Sequence, residues 1–458
     1  MKNTTKILFI FLLVWACNTK QNADYLDFSG HITHPVSDTI KLTNFARTWQ
    51  KSIPLATDSS FNDTLRLTAG YYYLEYGDEY TGLYLAPGQD VKVSLDTEAF
   101  DESLHYEGPG AAANNYLAAK SLLEEKSVYK IYTEDILNYD EQGFLELVDS
   151  ITNAKLALLK KYRPDLSADF LWQEEQSIHY EKLSLLPAYE NNKSYFMQDT
   201  AFQVSDDFPD PYADINLHDG RLAALPAYLS YLEDYLSNEM AKSWDGQGDI
   251  ALAFLHKINA AIVNDTIKDA LLAYLAPDFL DFSQHTDSAY HLLRSLLKDE
   301  RALAKLEERY QRYQALAPGN PSPGFAFVSL QGDTVRLADL RGKPVYIDVW
   351  ATWCSPCIDE IPHLKKLKKD IGTKDIHFVS ICLQDQYDNW QRYVHDNELG
   401  GLHLFAPDWN HPFFRSYNIS GIPHFILLDA DGLIINANAK RPSDPQLKDQ
   451  LQKLVKKI

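Results

Sequence analysis

The chain has 458 residues, too many for one ordinary domain, and its 45% hydrophobic and 23% charged content suits globular units with real cores. A formal net charge of −21 argues against nucleic acid as a partner, because phosphates are met with Lys and Arg. The segment 320–458 holds 16 basic and 16 acidic residues, so the whole acidic excess lies before it and reads as solubility. Four cysteines, Cys17, Cys354, Cys357 and Cys382, are too few for a disulfide-built scaffold.

Lys2 and Lys6 precede an apolar run over 7–14 that is too short to span a bilayer. Residues 1–16 are therefore expected to be a signal peptide and not a membrane helix. The run closes Leu13-Val14-Trp15-Ala16-Cys17, which resembles a bacterial lipoprotein lipobox. That resemblance implies cleavage before Cys17, lipidation of Cys17 and a polar tether over 17–23. Ordinary secretion is the alternative.

Residues 24–108 read as strands. Asp38 to Leu42 and Val91 to Leu95 alternate with the period of half-buried sheet, and Pro87-Gly88 marks a turn. A small β-sandwich is expected. Residues 109–316 read as helices, with apolar positions at helical spacing: Leu117, Leu122 and Leu123; Phe144, Leu147, Val148 and Ile151; Leu292, Leu293, Leu296 and Leu297. Pro209, Pro211 and Pro226 divide the region into at least two groups. Scattered histidines such as His179 and His218 fall in no metal-binding spacing, so no metal is expected. Residues 317–324 contain three Pro and two Gly and read as a linker.

A new unit, 325–458, follows. Gln331-Gly332-Asp333 is a hairpin turn, and Pro344 to Trp350 is an apolar run of the kind found in buried strands. It leads into Trp353-Cys354-Ser355-Pro356-Cys357 and then a helical pattern over 358–369. A Cys at a helix N-terminus faces unpaired N–H groups and the positive end of the dipole, both of which favour the thiolate that attacks disulfides. Cys354 is thus expected to be an exposed nucleophile and Cys357 a buried resolving thiol, with Ser355-Pro356 setting the geometry between them. A zinc half-site is disfavoured because no second Cys pair exists. A purely structural disulfide is disfavoured because so short a loop constrains little of the unfolded chain. Cys382, in the apolar strand 376–382, reads as a small buried hydrophobe.

Residues 321–458 resemble the TlpA/ResA-like branch of the thioredoxin superfamily, through Pro323-Gly324-Phe325, Leu340-Arg341-Gly342-Lys343, Trp350 to Cys357, and Gly421-Ile422-Pro423. The Leu83 to Gln89 run resembles the β-rich domain that precedes such envelope domains. The resemblance implies an α/β thioredoxin-like fold and a thiol–disulfide oxidoreductase in the bacterial cell envelope, facing the periplasm. It implies no cofactor beyond the Cys354–Cys357 disulfide, cysteine-containing envelope proteins as clients, and a membrane thiol-electron donor that keeps the protein a reductant. Pro423 takes the place of a cis-proline that aims the backbone of Ile422 at a bound peptide. Asp348, six residues before Cys354, takes the place of the buried acid that deprotonates the resolving thiol. An Asp is costly to bury in an apolar strand, which also favours a special role. Glu360 either tunes the thiols, as in the family, or simply favours the helix N-terminus. Pro362 is expected to kink its helix. A peroxiredoxin-like antioxidant is an alternative, but Ala351 and Ile347 miss that family's motif around Cys354. A binding module built on residues 24–316 is the other.

Overall fold

The structure, a computed structural model, describes residues 23–456 except Gln284 and Asn410. The expected signal peptide and Cys17 lie outside the described residues. The chain divides into two compact units. One holds the described residues up to Gly248 with Ala253–Leu275 and Leu296–Arg301; the other holds Asp249–Leu252, Ala276–Ser295 and the residues from Ala302 onward.

The described residues open with β1 (Leu26–Thr33), β2 (Thr39–Asn44), β3 (Gln50–Pro54), β4 (Ser60–Leu65), β5 (Gly70–Tyr76), β6 (Glu79–Leu85) and β7 (Val91–Asp96); a short α1 (Phe100–Ser103) precedes β8 (His105–Glu107). They form two four-stranded sheets, β4-β1-β7-β8 and β3-β2-β5-β6. Alternate residues of both sheets, among them Phe28, Ile40, Leu42, Leu74, Leu83 and Val93, meet in one buried cluster, as the two-residue period requires. Gly30 has no side chain because a Cβ there would lie 2.3 Å from the Val93 carbonyl oxygen and 2.5 Å from the Phe61 ring.

Helices follow: α2 (Ala111–Val128), α3 (Glu141–Tyr162), α4 (Ala168–Met197), α5 (Pro226–Ser243), α6 (Ile250–Ala261), α7 (Asp265–Phe282), α8 (Thr286–Leu296) and α9 (Glu300–Ala315). The break around Pro209 and Pro211 falls between α4 and α5 as expected, but α4 continues through Pro187 over 30 residues. In α2 the leucines were expected to form the core face. Leu117, Leu122 and Leu123 are only half-buried, and the buried positions include Asn114, Tyr116 and Lys120. The reason is polar satisfaction. Asn114 serves the backbone of Tyr84 in β6, its Oδ1 accepting from the N–H at 2.9 Å and its Nδ2 donating to the carbonyl at 3.0 Å. Lys120 donates to Glu174 at 3.0 Å and to Glu181 at 2.6 Å, and Lys155 donates to Glu181 at 2.8 Å. Tyr71 Oη of β5 donates to the other oxygen of Glu174 at 2.6 Å. The network ties α2, α3 and α4 to the sheet through charges that have lost water. Among the described residues no helix is long and apolar enough to cross a membrane.

The second unit contains a seven-stranded sheet in the order β10-β9-β13-β12-β11-β14-β15. Its elements, in chain order, are β9 (Ala326–Ser329), β10 (Thr334–Arg336), β11 (Val345–Trp350), α10 (Ser355–Ile371), β12 (His377–Leu383), α11 (Tyr387–Asp396), β13 (Leu402–Ala406), α12 (Pro412–Ser416), β14 (His424–Leu428), β15 (Ile434–Asn436) and α13 (Pro445–Val455). The three central strands β11, β12 and β13 are parallel, and their neighbours β14 and β9 run antiparallel to them. Val345, Ile347 and Val349 pack on Phe413 and Phe414 of α12, whereas Tyr346 meets Leu364 and Leu367 of α10 and Leu447 and Leu451 of α13. Both faces of β11 are therefore covered, which is why it reads as an unbroken apolar run. The expected linker is not a free tether. Gly319 N–H donates to the Ile434 carbonyl, Ile434 N–H to that of Asn320, and Ser322 N–H to that of Gly432. These bonds lie along β15.

Lys120→Ala would leave the Glu174 carboxylate buried without its cation, which is expected to cost about 3–5 kcal/mol. Denaturant unfolding of the full chain should show the loss confined to the transition of the first unit.

Candidate active site

β11 delivers the chain to the N-terminus of α10, and the cysteines lie at that junction. Cys354 is the N-cap residue, and its Sγ accepts the Cys357 N–H at 3.3 Å. One N–H of the helix's first turn, that of Cys357, is thus aimed at this sulfur. Pro356 stands in the first turn, where its missing N–H is no loss, and Pro362 lies inside the helix. The two sulfurs are joined as a disulfide with Cα atoms 5.3 Å apart.

Cys354 was expected to be exposed and Cys357 buried. In the disulfide the two are equally sheltered, at 4% and 3% exposure. The cause is packing: Trp350, Ala351, Cys382, Trp390 and Val394 enclose the pair, with Ile422 against them. What distinguishes the two sulfurs here is the helix N-terminus, not solvent.

The rim is built from four segments. Ile422–Pro423 is a cis peptide bond, as the family resemblance implies, and the Ile422 carbonyl oxygen lies 3.7 Å from Cys354 Sγ. Trp353 is 57% exposed, with its Nε1–H donating to the Gln384 carbonyl at 2.7 Å. The Trp409 indole N–H donates to the Gln384 side chain. Asp385 Oδ2 accepts the Thr352 N–H at 2.8 Å, fixing the backbone that leads into Cys354.

Behind the pair lie the acids. Asp348 is 8% exposed in the middle of β11. Burial pushes its carboxyl up to about 7, against the Lys368 ammonium and a hydrogen bond from Ser380, both of which lower it. Glu360 was left open between a thiol-tuning acid and a dipole-favouring surface residue. It is buried, and it accepts from the Ser443 N–H at 2.9 Å and hydroxyl at 2.8 Å, so it is not a solvated helix-face residue. Cys382 is fully buried 3.6 Å from Asp385, and burial followed by that carboxylate pushes its thiol far up. It stays protonated and fits the reading as a small hydrophobe. His179 and His218 are both exposed.

Sequence reasoning missed Ser443, Gln384, Lys368 and His403, all brought in by tertiary structure. Lys368 sits one turn after Leu364 on the core side of α10, the one signal that could have singled it out.

Residues 317–451 match the protein-family model described as Redoxin. The chain is 28% identical over 140 residues to the thiol-disulfide oxidoreductase ResA of Bacillus thuringiensis (strain Al Hakam), covering 31% of this chain and 78% of that protein. The ResA of Bacillus subtilis (strain 168) is 20% identical over 138 residues, 30% of this chain and 76% of the relative. Similar solved structures include the thioredoxin domain of a thiol-disulfide oxidoreductase from Bacteroides vulgatus, 28% identical, covering 30% of this chain and 98% of that one with a TM-score of 0.28. Another is a thiol:disulfide interchange protein from Bacteroides sp., 29% identical, covering 31% and 92% with a TM-score of 0.29.

A carboxyl raised from 3.8 to about 7 binds a proton in the folded state that the unfolded state has lost between those pH values. Stability therefore falls as pH rises from about 4 to 7, by about 1.4 kcal/mol per pH unit, and levels off above. Asp348→Asn should remove about 3 kcal/mol of the decline between pH 5 and pH 8, read from denaturant unfolding of the second unit in the full chain.

Proposed function

From a C-terminal domain that is a TlpA/ResA-like thiol:disulfide oxidoreductase, we propose that the chain reduces disulfides of cell-envelope proteins through Cys354 and Cys357. The observation that carries this reading is the Cys354 sulfur at the N-terminus of α10, accepting the Cys357 N–H beside the Ile422 carbonyl. In the dithiol, that N–H and the dipole stabilise the Cys354 thiolate. The thiolate attacks a client disulfide. One client sulfur bonds to Cys354 and the other leaves as a thiolate that takes a proton. Asp348 takes the proton of the Cys357 thiol. Cys357 then attacks Cys354, the bond to the client breaks, and the disulfide described above forms. Two electrons have passed to the client, and no further redox group is required.

The supporting residues have distinct tasks in this reading. Trp353, Ile422 and Pro423 form the face that receives the client peptide. Pro356 shapes the first turn of α10. Glu360, held by Ser443, is a second buried acid whose charge raises the Asp348 carboxyl. A membrane thiol donor would return the pair to the reduced state. The two N-terminal sheets around one core are read as a β-sandwich, and lipidation at Cys17 would hold the chain on the membrane with its domains in the periplasm.

Cys357→Ala should trap the client, because nothing inside the protein then resolves the mixed disulfide. The adduct should persist on a non-reducing gel and vanish with reductant, with at least tenfold less trapping by Cys354→Ala. Equal trapping by the two variants would overturn the assignment of roles.

Cys17→Ala should move the protein from the membrane fraction to a soluble or unprocessed form. A mature-sized Cys17→Ala protein that still sediments with membranes would overturn the lipid anchor.

A further inference from the structure

The face of the sheet beneath α10 is apolar in two patches. Tyr346, Phe378, Phe425 and Leu427 pack together on one side, and Trp350, Cys382 and Cys357 on the other. A polar row crosses between them. Asp348 of β11 pairs in register with Ser380 of β12, and Ser380 with His403 of β13. Paired residues on parallel strands share a face, so the three side chains line up beneath the helix.

The row ends at a seat for one ammonium. Lys368 reaches from α10 to the Gly400–Gly401 turn, where its Nζ donates to the Gly400 carbonyl. Gly401 has a φ of +108°, and a Cβ there would lie 2.9 Å from that Nζ. Its lack of a side chain makes the space the ammonium fills. The same Gly400 carbonyl lies 3.4 Å from His403 Nε2. His403 is 3% exposed, and its Nδ1 has no hydrogen-bond partner.

Counting charges along this row isolates the role of Lys368. Burial, then the Lys368 charge, brings His403 down to about 4, so it is neutral at physiological pH. Ser380 carries no charge. Phe425 of β14, the other residue paired with Asp348, brings none. On α10, Glu360 opposes ionisation of Asp348. Lys365 is exposed, with its Nζ on the Asn397 carbonyl. Among the described residues, that leaves Lys368 as the cation acting on the buried carboxyl. Burial lowers Lys368 to about 8 while Asp348 raises it, so each charge holds the other against desolvation.

We propose that Lys368 is a positioning residue for the exchange reaction: from its glycine seat at the end of the Asp348–Ser380–His403 row, its ammonium favours the ionised form of the buried carboxyl, the form that can accept a proton. The inference rests on the reading of Asp348 as the base for Cys357. In the step concerned, the Cys357 S–H bond breaks, its proton goes to an Asp348 oxygen, the freed electron pair on that sulfur attacks Cys354, and the Cys354–client bond breaks with the client sulfur leaving as a thiolate. Asp348 later returns the proton to solvent. Without the cation, the carboxyl holds its proton to higher pH and fewer molecules can start the step.

The test mixes the reduced full chain with 5,5′-dithiobis(2-nitrobenzoate) between pH 5.5 and 9.5. The first release of nitrothiobenzoate reports attack by Cys354. The second reports resolution by Cys357. Lys368→Met should move the pH profile of the second release up by about one unit, slowing it about tenfold at pH 6 and leaving it near wild type at pH 9. The first release should be unchanged. Gly401→Ala, which keeps the charge but fills its seat, should shift the profile the same way, and Lys368→Arg should restore most of it. An unmoved profile in Lys368→Met, or a second release slowed equally at every pH, would overturn the inference. A wild-type chain that shows no second release would instead overturn the proposed exchange reaction, and this inference with it.

Discussion

One hydrogen bond organises the candidate site: the N–H of Cys357 pointing at the sulfur of Cys354. It exists because β11 stops at Trp350 and α10 begins at Ser355, leaving Cys354 in the N-cap position. Helices usually fill that place with an oxygen from Ser, Thr, Asp or Asn. Here a sulfur does the capping, so one N–H serves both the helix end and the sulfur. Every other part of the site positions that junction. Asp385 fixes the turn before it, Ile422 lies across from it, and the apolar cluster beneath excludes water from it.

How much could be read in advance follows from the range of the interactions. The strand, the Cys-x-x-Cys turn and the helix are local, and they stood in the sequence in that order. Asp348 was legible because a lone acid in an apolar strand contradicts its surroundings. Lys368 and His403 were not, because an amphipathic helix carries many lysines and a strand His is common. Only the register that aligns Asp348, Ser380 and His403, and the turn that seats the ammonium, single them out. Glu360 was ambiguous for the same reason, since its partner Ser443 lies 83 residues away. The exposure of Cys354 was misjudged because helix position says where a sulfur sits on the backbone, not what packs over it.

Helix α2 fails the simple apolar pattern in an instructive way, whereas Phe144, Val148 and Ile151 of α3 are buried as their spacing predicts. Counting leucines in α2 picks out half-buried positions, while Asn114 and Lys120 face inward. These polar side chains are buried with their partners: Asn114 on the backbone of β6, Lys120 on two glutamates of α4. Such contacts fix which residue of one element lies opposite which residue of another, something an apolar face does less strictly. They add little to binary patterning, so a reading based on hydrophobic period passes over them.

The bonds between residues 319–322 and β15 have a further consequence. β15 is the last strand of its sheet, and the outer side of such a strand offers unpaired N–H and C=O groups to any passing chain. Here the incoming segment occupies that side itself, with Pro321 bridged to Leu433. The stretch that looks like a connector is therefore a guard against self-association. A domain begun at Phe325 would be bare along this border and would invite a second copy to pair there, whereas one begun at Ala317 would bring its own cover.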